Sequence, residues 1–289
     1  MKRNIILDTD MYNEIDDQFA LVYLLKSIDN FNLEAITIAP FFKSGYAICD
    51  TIEEGVDKSF NTTLKILEML NFDYKNVYKG STNYIVNGYN EDNDAVNEII
   101  KIAHRNEKTT IVAIGAITNI ALALRKDPSI IDRVEVIWLG GNSFLTNNNN
   151  EFNFRQDIKA VQEVFESKVK LTVIPCRNVA SNLSTTIYEL EHYLKQDREI
   201  NRYLIKIFKD CKKRFLVTPE DEIGSSKTLW DLSALAYIIN EEWFTKEEIS
   251  CPQVLEDGRY LQTNDSHKVT FVTDVFRNKI YNDFFKKMR

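Results

Sequence analysis

Five carboxylates crowd one short stretch of the chain: Asp8, Asp10, Glu14, Asp16 and Asp17. Negative charges packed this closely repel one another unless a cation or protons intervene. No His or Cys lies nearby, so the fitting cation is hard and oxygen-loving, Ca2+ or Mg2+. An Asp at the start of a helix is often only an N-cap, which would account for Asp16 or Asp17 but leaves Asp8 and Asp10 unexplained. Other chemistry-bearing residues give weaker signals. Cys176 follows a strand-like run, but no His is placed by pattern to activate it, so it reads as a buried thiol. Gly45, Gly55 and Gly80 do not assemble into a phosphate-binding loop. His104 lies in a charged helix end and reads as a solvated surface residue.

Short β-rich apolar runs alternate with amphipathic segments along the chain. The runs predict strands over 4–8, 33–39, 109–114, 134–139, 169–174 and 268–273, with a short one starting at Val77 and Tyr78. Helices are expected over 17–27, with Phe19, Val22 and Tyr23 on one face, and over 59–71, 94–105, 117–126, 157–167 and 231–240, with a final helix at the end. Residues 184–214 are helical in pattern and rich in Lys, Glu and Tyr, as a surface or capping layer would be; the Lys/Arg run at 206–214 is offset by neighbouring acids. The run Asn147–Asn150 reads as a surface loop. This alternation predicts an α/β fold: a mostly parallel central sheet flanked by helices, of the open doubly wound type. With no internal repeat and no Pro/Gly-rich linker, residues 1–289 read as a single domain. In such sheets ligands collect beyond the carboxyl ends of the strands. Asp8 falls at that end of the first strand, and Asp10 lies just past it. Asp16 and Asp17 open the next helix, where neighbours point about 100° apart. One could therefore face a cation while the other faces what lies beside it.

Composition narrows the possibilities. The 289 residues are 44% hydrophobic, enough for a real core. Lys and Arg number 36 against 43 Asp and Glu, for a net charge of −7, which argues against a nucleic-acid partner. Four Cys lie scattered with no C-x-x-C pair, which suits neither a zinc site nor a disulfide framework and points to a reducing, cytoplasmic setting. Three apolar residues ahead of Asp8 are too few for a signal peptide. No run approaches the roughly 20 apolar residues that span a bilayer, so no membrane partner is expected.

Four ordered pieces carry a family resemblance. Asp8-Thr9-Asp10, a loop, and Asp16-Asp17 ahead of an apolar helix form the first. Ile111 to Leu124, with Gly115 at its turn, is the second. Trp138-Leu139-Gly140-Gly141, then Glu151-Phe152-Asn153 and Asp157, is the third, and Trp230-Asp231 ahead of Ala234-Leu235-Ala236-Tyr237 is the fourth. Together they resemble the inosine–uridine-preferring nucleoside hydrolases. The resemblance implies Ca2+ held by Asp10, Asp17, Asp231 and the main-chain carbonyl of Ile114. It also implies that Asp10 activates a metal-bound water, with Asp8 supporting it from behind. Asp16 would grip the ribose 2′- and 3′-hydroxyls, and Glu151 and Asn153 the rest of the sugar. The implied reaction is hydrolysis of the N-glycosidic bond of ribonucleosides or related ribosides, by a protein that commonly forms dimers or tetramers.

The sequence departs from that pattern in three places. The opening loop reads Met11-Tyr12-Asn13-Glu14-Ile15 where a short Pro-Gly turn is commoner, as in a divergent branch of the family. Pro175-Cys176-Arg177-Asn178 lacks an acidic residue common at that place. The late His-Asp is Trp230-Asp231. Indole donates a hydrogen bond but gives up no proton near neutral pH, so Trp230 is expected either to stack on a nucleobase or to pack as a core residue. Losing a general acid costs about 10²–10⁴-fold in rate, and Glu14, Tyr12 and His104 are the alternative acids. Two other readings stay open: a riboside-binding homologue with weak or no turnover, and a metal-dependent phosphatase using the Asp8/Asp10 pair.

Overall fold

The computed structural model describes residues 2–42, 48–88, 90–144, 146, 149–214 and 224–289. Its strands are β1 (Arg3–Thr9), β2 (Phe31–Ile38), β3 (Val77–Lys79), β4 (Thr109–Ala113), β5 (Val134–Leu139), β6 (Lys170–Ile174), β7 (Ser184–Thr185), β8 (Lys227–Thr228), β9 (Phe244–Ser250), β10 (Gln253–Val254), β11 (Tyr260–Leu261) and β12 (Lys268–Val275). The helices are α1 (Asp16–Leu25), α2 (Ile52–Met69), α3 (Asp94–Arg105), α4 (Thr118–Lys126), α5 (Phe152–Gln156), α6 (Ile158–Glu166), α7 (Ile187–Tyr193), α8 (Glu199–Arg214), α9 (Leu232–Ile239) and α10 (Arg277–Met288).

Eight strands make one sheet in the order β3-β2-β1-β4-β5-β6-β12-β9, parallel throughout except for the β12–β9 pair. The inner strands are apolar without alternation because both faces are covered: β4 and β5 are buried at every position. One apolar layer joins α1, α2, α9 and α10 to one face, and a second joins α3, α4 and α6 to the other. Strand order reverses direction between β1 and β4, so a crevice opens beyond their carboxyl ends. That crevice is where the acidic stretch emerges. No described helix is long and apolar enough to cross a membrane.

Several elements differ from the sequence reading. Helix α1 does not bury a single face through Phe19, Val22 and Tyr23: all its residues are buried, since α2, α9 and α10 surround it. Helix α2 begins earlier than expected, capped by Thr51, whose hydroxyl accepts the Glu54 N–H at 3.1 Å. Its first turns carry Glu53, Glu54, Asp57 and Lys58 around Ile52 and Val56, so the apolar stripe is only a thin line there. Helix α5 is too short to show a period. Strand β9 was not anticipated because it is the charged edge of the sheet, exposing Lys246, Glu247 and Glu248. In the Asn run, positions 147 and 148 lie outside the described residues, while Asn149 is buried rather than a surface-loop residue. Its side chain accepts the Asn142 N–H and donates to the Gly258 carbonyl, both at 2.9 Å.

Candidate active site

The exit of β1 is built from behind. Asp8 is fully buried, and its Oδ1 accepts hydrogen bonds from Thr37 Oγ1 at 2.6 Å and Asn119 Nδ2 at 2.9 Å. Its Oδ2 has no partner, and burial outweighs the two bonds and pushes its carboxyl up to about 7. The Asp8 carbonyl takes the Ile114 N–H at 2.8 Å, which ties the ends of β1 and β4 together. Gly115 follows, and a Cβ there would lie 2.9 Å from Ala39 Cβ and 3.2 Å from Asp10 N and Oδ1. A glycine is what lets the β4 exit pass so close to Asp10.

Beyond these ends lies a cavity of about 210 Å³. Of the sequence-predicted site residues, Asp10, Asp16, Asp17, Ile114, Glu151, Asn153, Trp230 and Asp231 line it, and Asp8 does not. Carboxylate oxygens of Asp16, Asp17 and Asp231 lie within 4.8 Å of one another. Asp231 stands at the start of α9, which packs directly on α1, so both Asp16 and Asp17 meet it although they are sequence neighbours. Asp16 thus stands among the metal-ligating candidates, where the sequence reading gave it to the sugar alone. Its Oδ2 also accepts the Trp230 N–H at 3.0 Å.

These four carboxylates are buried, with exposures of 1% for Asp10, 3% for Asp16, 2% for Asp17 and 4% for Asp231. Burial pushes the Asp17 carboxyl up to about 7, with the Asp16 charge adding to it, against a 2.5 Å hydrogen bond from Thr9 Oγ1. Burial also raises Asp16 to about 6, although Lys227 pulls it down. Asp231 is raised well above the carboxylate range by burial, then by Asp16, Asp17 and Asp10. Lys227 pairs with Glu14; burial works against its charge, but Asp16 and Glu14 outweigh burial and hold it protonated. Lys227, already paired with Glu14, does not balance this cluster of buried carboxyl groups. Carboxylate oxygens, with the Ile114 carbonyl beside them, make a donor set suited to a divalent hard cation.

The opposite wall is organised by Glu151. Its carboxylate caps α5, accepting the backbone N–H of Asn153, Phe154 and Gly141, each at 2.9 Å, and it also meets the Cys176 thiol. Gly141 has φ of +69°, a left-handed backbone suited to glycine that turns its N–H to Glu151. Asn153 Nδ2 donates to the carbonyls of Ile114 at 2.9 Å and Leu139 at 3.0 Å, fixing both strand ends. Burial pushes the Cys176 thiol well up, in keeping with an unreactive buried thiol.

Among the alternative acids, Glu14 lines the cavity but is engaged with Lys227. Tyr12 and His104 are not among the lining residues; the Tyr12 ring lies under Lys58, and His104 pairs with Asp127 at the surface. Trp230 is half-buried, packing against the core while one part lines the cavity. The sequence reading missed Asn13, Asn142, Asn150, Phe152 and Arg177, which also line it. Asn13 could have been suspected from its place inside the acidic loop. Its Oδ1 is buried at the cavity without a partner.

Comparison with known proteins agrees with this geometry. The chain matches the family model described as inosine-uridine preferring nucleoside hydrolase over residues 5–282. It is 29% identical over 164 residues to an inosine-uridine preferring nucleoside hydrolase of Crithidia fasciculata, an alignment covering 55% of this chain and 51% of that one. The chain therefore spans about half the length of this relative, and 46% of the corresponding Leishmania major protein. A pyrimidine-specific ribonucleoside hydrolase, RihB, of Escherichia coli is 27% identical over 263 residues, covering 86% of this chain and 82% of its own. Among solved structures, a purine-preferring ribonucleoside hydrolase from Gardnerella vaginalis superposes with a TM-score of 0.80 at 23% identity, over 99% of this chain and 98% of its own, which shows a shared fold. With the sheet, the switch-point cavity and its acidic rim in place, this chain belongs to the inosine-uridine preferring nucleoside hydrolase family.

Proposed function

We propose that the protein hydrolyses the N-glycosidic bond of ribonucleosides or related ribosides and that it does so with Ca2+. The observation carrying this reading is the convergence of Asp10, Asp16, Asp17 and Asp231 on one cavity, buried and short of counter-charge. Asp10, Asp17, Asp231 and the Ile114 carbonyl would hold the cation, with Asp16 at its edge. A cation bound there supplies the positive charge that orients both the sugar diol and the attacking water.

The rest of the chemistry falls to the chain. Asp10 takes one proton from water as the water oxygen bonds to C1′ of the ribose. The C1′–N bond breaks, and its electron pair leaves on the base nitrogen. Asp16 accepts hydrogen bonds from the 2′- and 3′-hydroxyls, and the surrounding carboxylates favour the positive charge that develops on the sugar. Asn13 Oδ1 offers a further acceptor in the same cavity. Trp230 supplies a face for the base and no transferable proton. Leaving groups that depart without strong protonation are therefore the substrates this pocket suits.

Ribose release from purine, pyrimidine and nicotinamide ribosides, read by a reducing-sugar assay, tests the proposal. Asp10→Ala should cut release by about 10²–10⁴-fold; unchanged release would remove Asp10 from the chemistry. Trp230, beside a Glu14 already paired with Lys227, favours a second reading as a riboside binder. Calorimetric riboside binding with no ribose released would support it. The phosphatase reading loses support because Asp8 is fully buried and lines no part of the cavity.

A further inference from the structure

The cavity wall is acidic, with Asp10, Glu14, Asp16, Asp17, Glu151 and Asp231, yet it includes Arg177. Among the described residues the Arg177 guanidinium makes no ion pair, hydrogen bond or ring contact, although carboxylates stand around the same cavity. Only its backbone is tied down, donating its N–H to Asn142 Oδ1 at 3.2 Å. Arg177 is exposed at the cavity wall, so its guanidinium is open to water and available to an anion brought in from outside.

Its position says which part of the ligand carries that anion. Arg177 follows β6, and the sheet order β1-β4-β5-β6 puts it three strand spacings from the Asp10 end, about 14 Å at 4.7–4.9 Å per strand. With the diol held at Asp16, as in the reading above, the opposite, C4′ side of the ring would face away from Asp16, toward the wall that Glu151 organises. Arg177 comes immediately after Cys176, whose thiol meets Glu151. Glu151 itself has little left to offer a hydroxyl. A carboxylate has about four acceptor sites, and three backbone N–H groups and the thiol already address them. Recognition at this end falls to a donor with up to five N–H groups in a fork matched to phosphate.

We propose that Arg177 forms a subsite for an anionic 5′ substituent, so that nucleoside 5′-phosphates are the preferred substrates of the site. This rests on the riboside-hydrolase reading above. Hydrolysis would release the free base and ribose 5-phosphate, with the same bonds broken and formed at C1′ and the phosphate ester untouched.

The test compares kcat/KM for a nucleoside and its 5′-monophosphate in the wild type, Arg177→Gln and Arg177→Lys. The wild type should favour the monophosphate by about 10- to 100-fold, the range of charge-assisted hydrogen bonds of this kind. Arg177→Gln should lose that ratio and Arg177→Lys keep part of it. A wild type that favours the nucleoside, or an Arg177→Gln protein that keeps the ratio, overturns the proposal. A preference for nicotinate riboside over nicotinamide riboside that disappears in Arg177→Gln would move the anion to the base and overturn the 5′ assignment. If no riboside is cleaved at all, the hydrolase reading fails by itself, and calorimetry then decides the subsite. Ribose 5-phosphate binding more tightly than ribose, with the difference lost in Arg177→Gln, supports it; equal binding refutes it.

Discussion

Removing divalent metal with a chelator should leave a protein that becomes less stable as the pH rises from about 4 to 7. The cause is the set of buried carboxyls around β1. Asp8 titrates near 3.8 when unfolded and about 7 in the fold, so between those values the native state binds the extra proton. Stability then falls with increasing pH, and this one group accounts for about 4 kcal/mol of the loss. Asp16, at about 6, and Asp17, at about 7, act in the same direction. Ca2+ should offset the loss where the carboxylates are ionised. At 100 times its Kd it returns about 2.7 kcal/mol, or about 4 °C in Tm for a chain of this length. Urea or thermal unfolding at pH 5 and pH 8, with chelator and with Ca2+, reads both effects. Glu135 provides a contrast with the opposite sign. Burial pushes its carboxyl up, but Lys170, Thr110 and Arg3 bring it down to about 2, so its contribution is present above pH 4.5 and disappears toward pH 2. Arg3 and Lys170 are solvent-exposed, so water screening leaves only about 1 kcal/mol there. Chelated stability that is flat or rises between pH 5 and 8, or a midpoint at pH 8 indifferent to Ca2+, would refute the reasoning about the acidic rim.

Two substitutions probe the same rim. Thr9→Val removes the hydroxyl that donates to Asp17 and should weaken Ca2+ binding by about 10-fold, the lower end for a residue orienting a metal ligand; unchanged affinity by calorimetry would show that Asp17 needs no such support. Trp230→His supplies the transferable proton the cavity lacks and should raise kcat on purine or pyrimidine nucleosides by up to about 10²-fold, with a new pH dependence near the imidazole pKa. No gain would mean that leaving-group protonation does not control the rate, or that Trp230 serves packing alone.

Much of the frame was legible in the residues. Strands β4 and β5 announced themselves as unbroken apolar runs because a two-sided sheet leaves no polar face. Helix α3 was bounded correctly, its apolar stripe being clean and Asn93 capping it. Misreadings came where burial and periodicity part company. Helix α1 is enclosed by three helices, so it shows no polar face to mark it as amphipathic. Strand β9 lies at an edge and carries the charges that protect one, so it looks like a loop. Asn149 is identical in type to the rest of its Asn run, and only its two hydrogen bonds reveal its structural task.

The chain's own order of residues determined the layered parallel sheet, the concentration of carboxylates at the end of its first strand, and the likeness to nucleoside hydrolases. Those properties are local: strand and helix periods, and acids clustered within one loop. Tertiary structure decided which groups face one another. It hid Asp8 behind Thr37 and Asn119, brought Asp231 against Asp16 and Asp17 from far along the chain, and committed Glu151 to three backbone amides. It left Arg177 without a partner among the described residues of the same cavity. Such outcomes depend on competition for hydrogen bonds and counter-charge among residues that only packing makes neighbours, and a sequence pattern does not carry that competition.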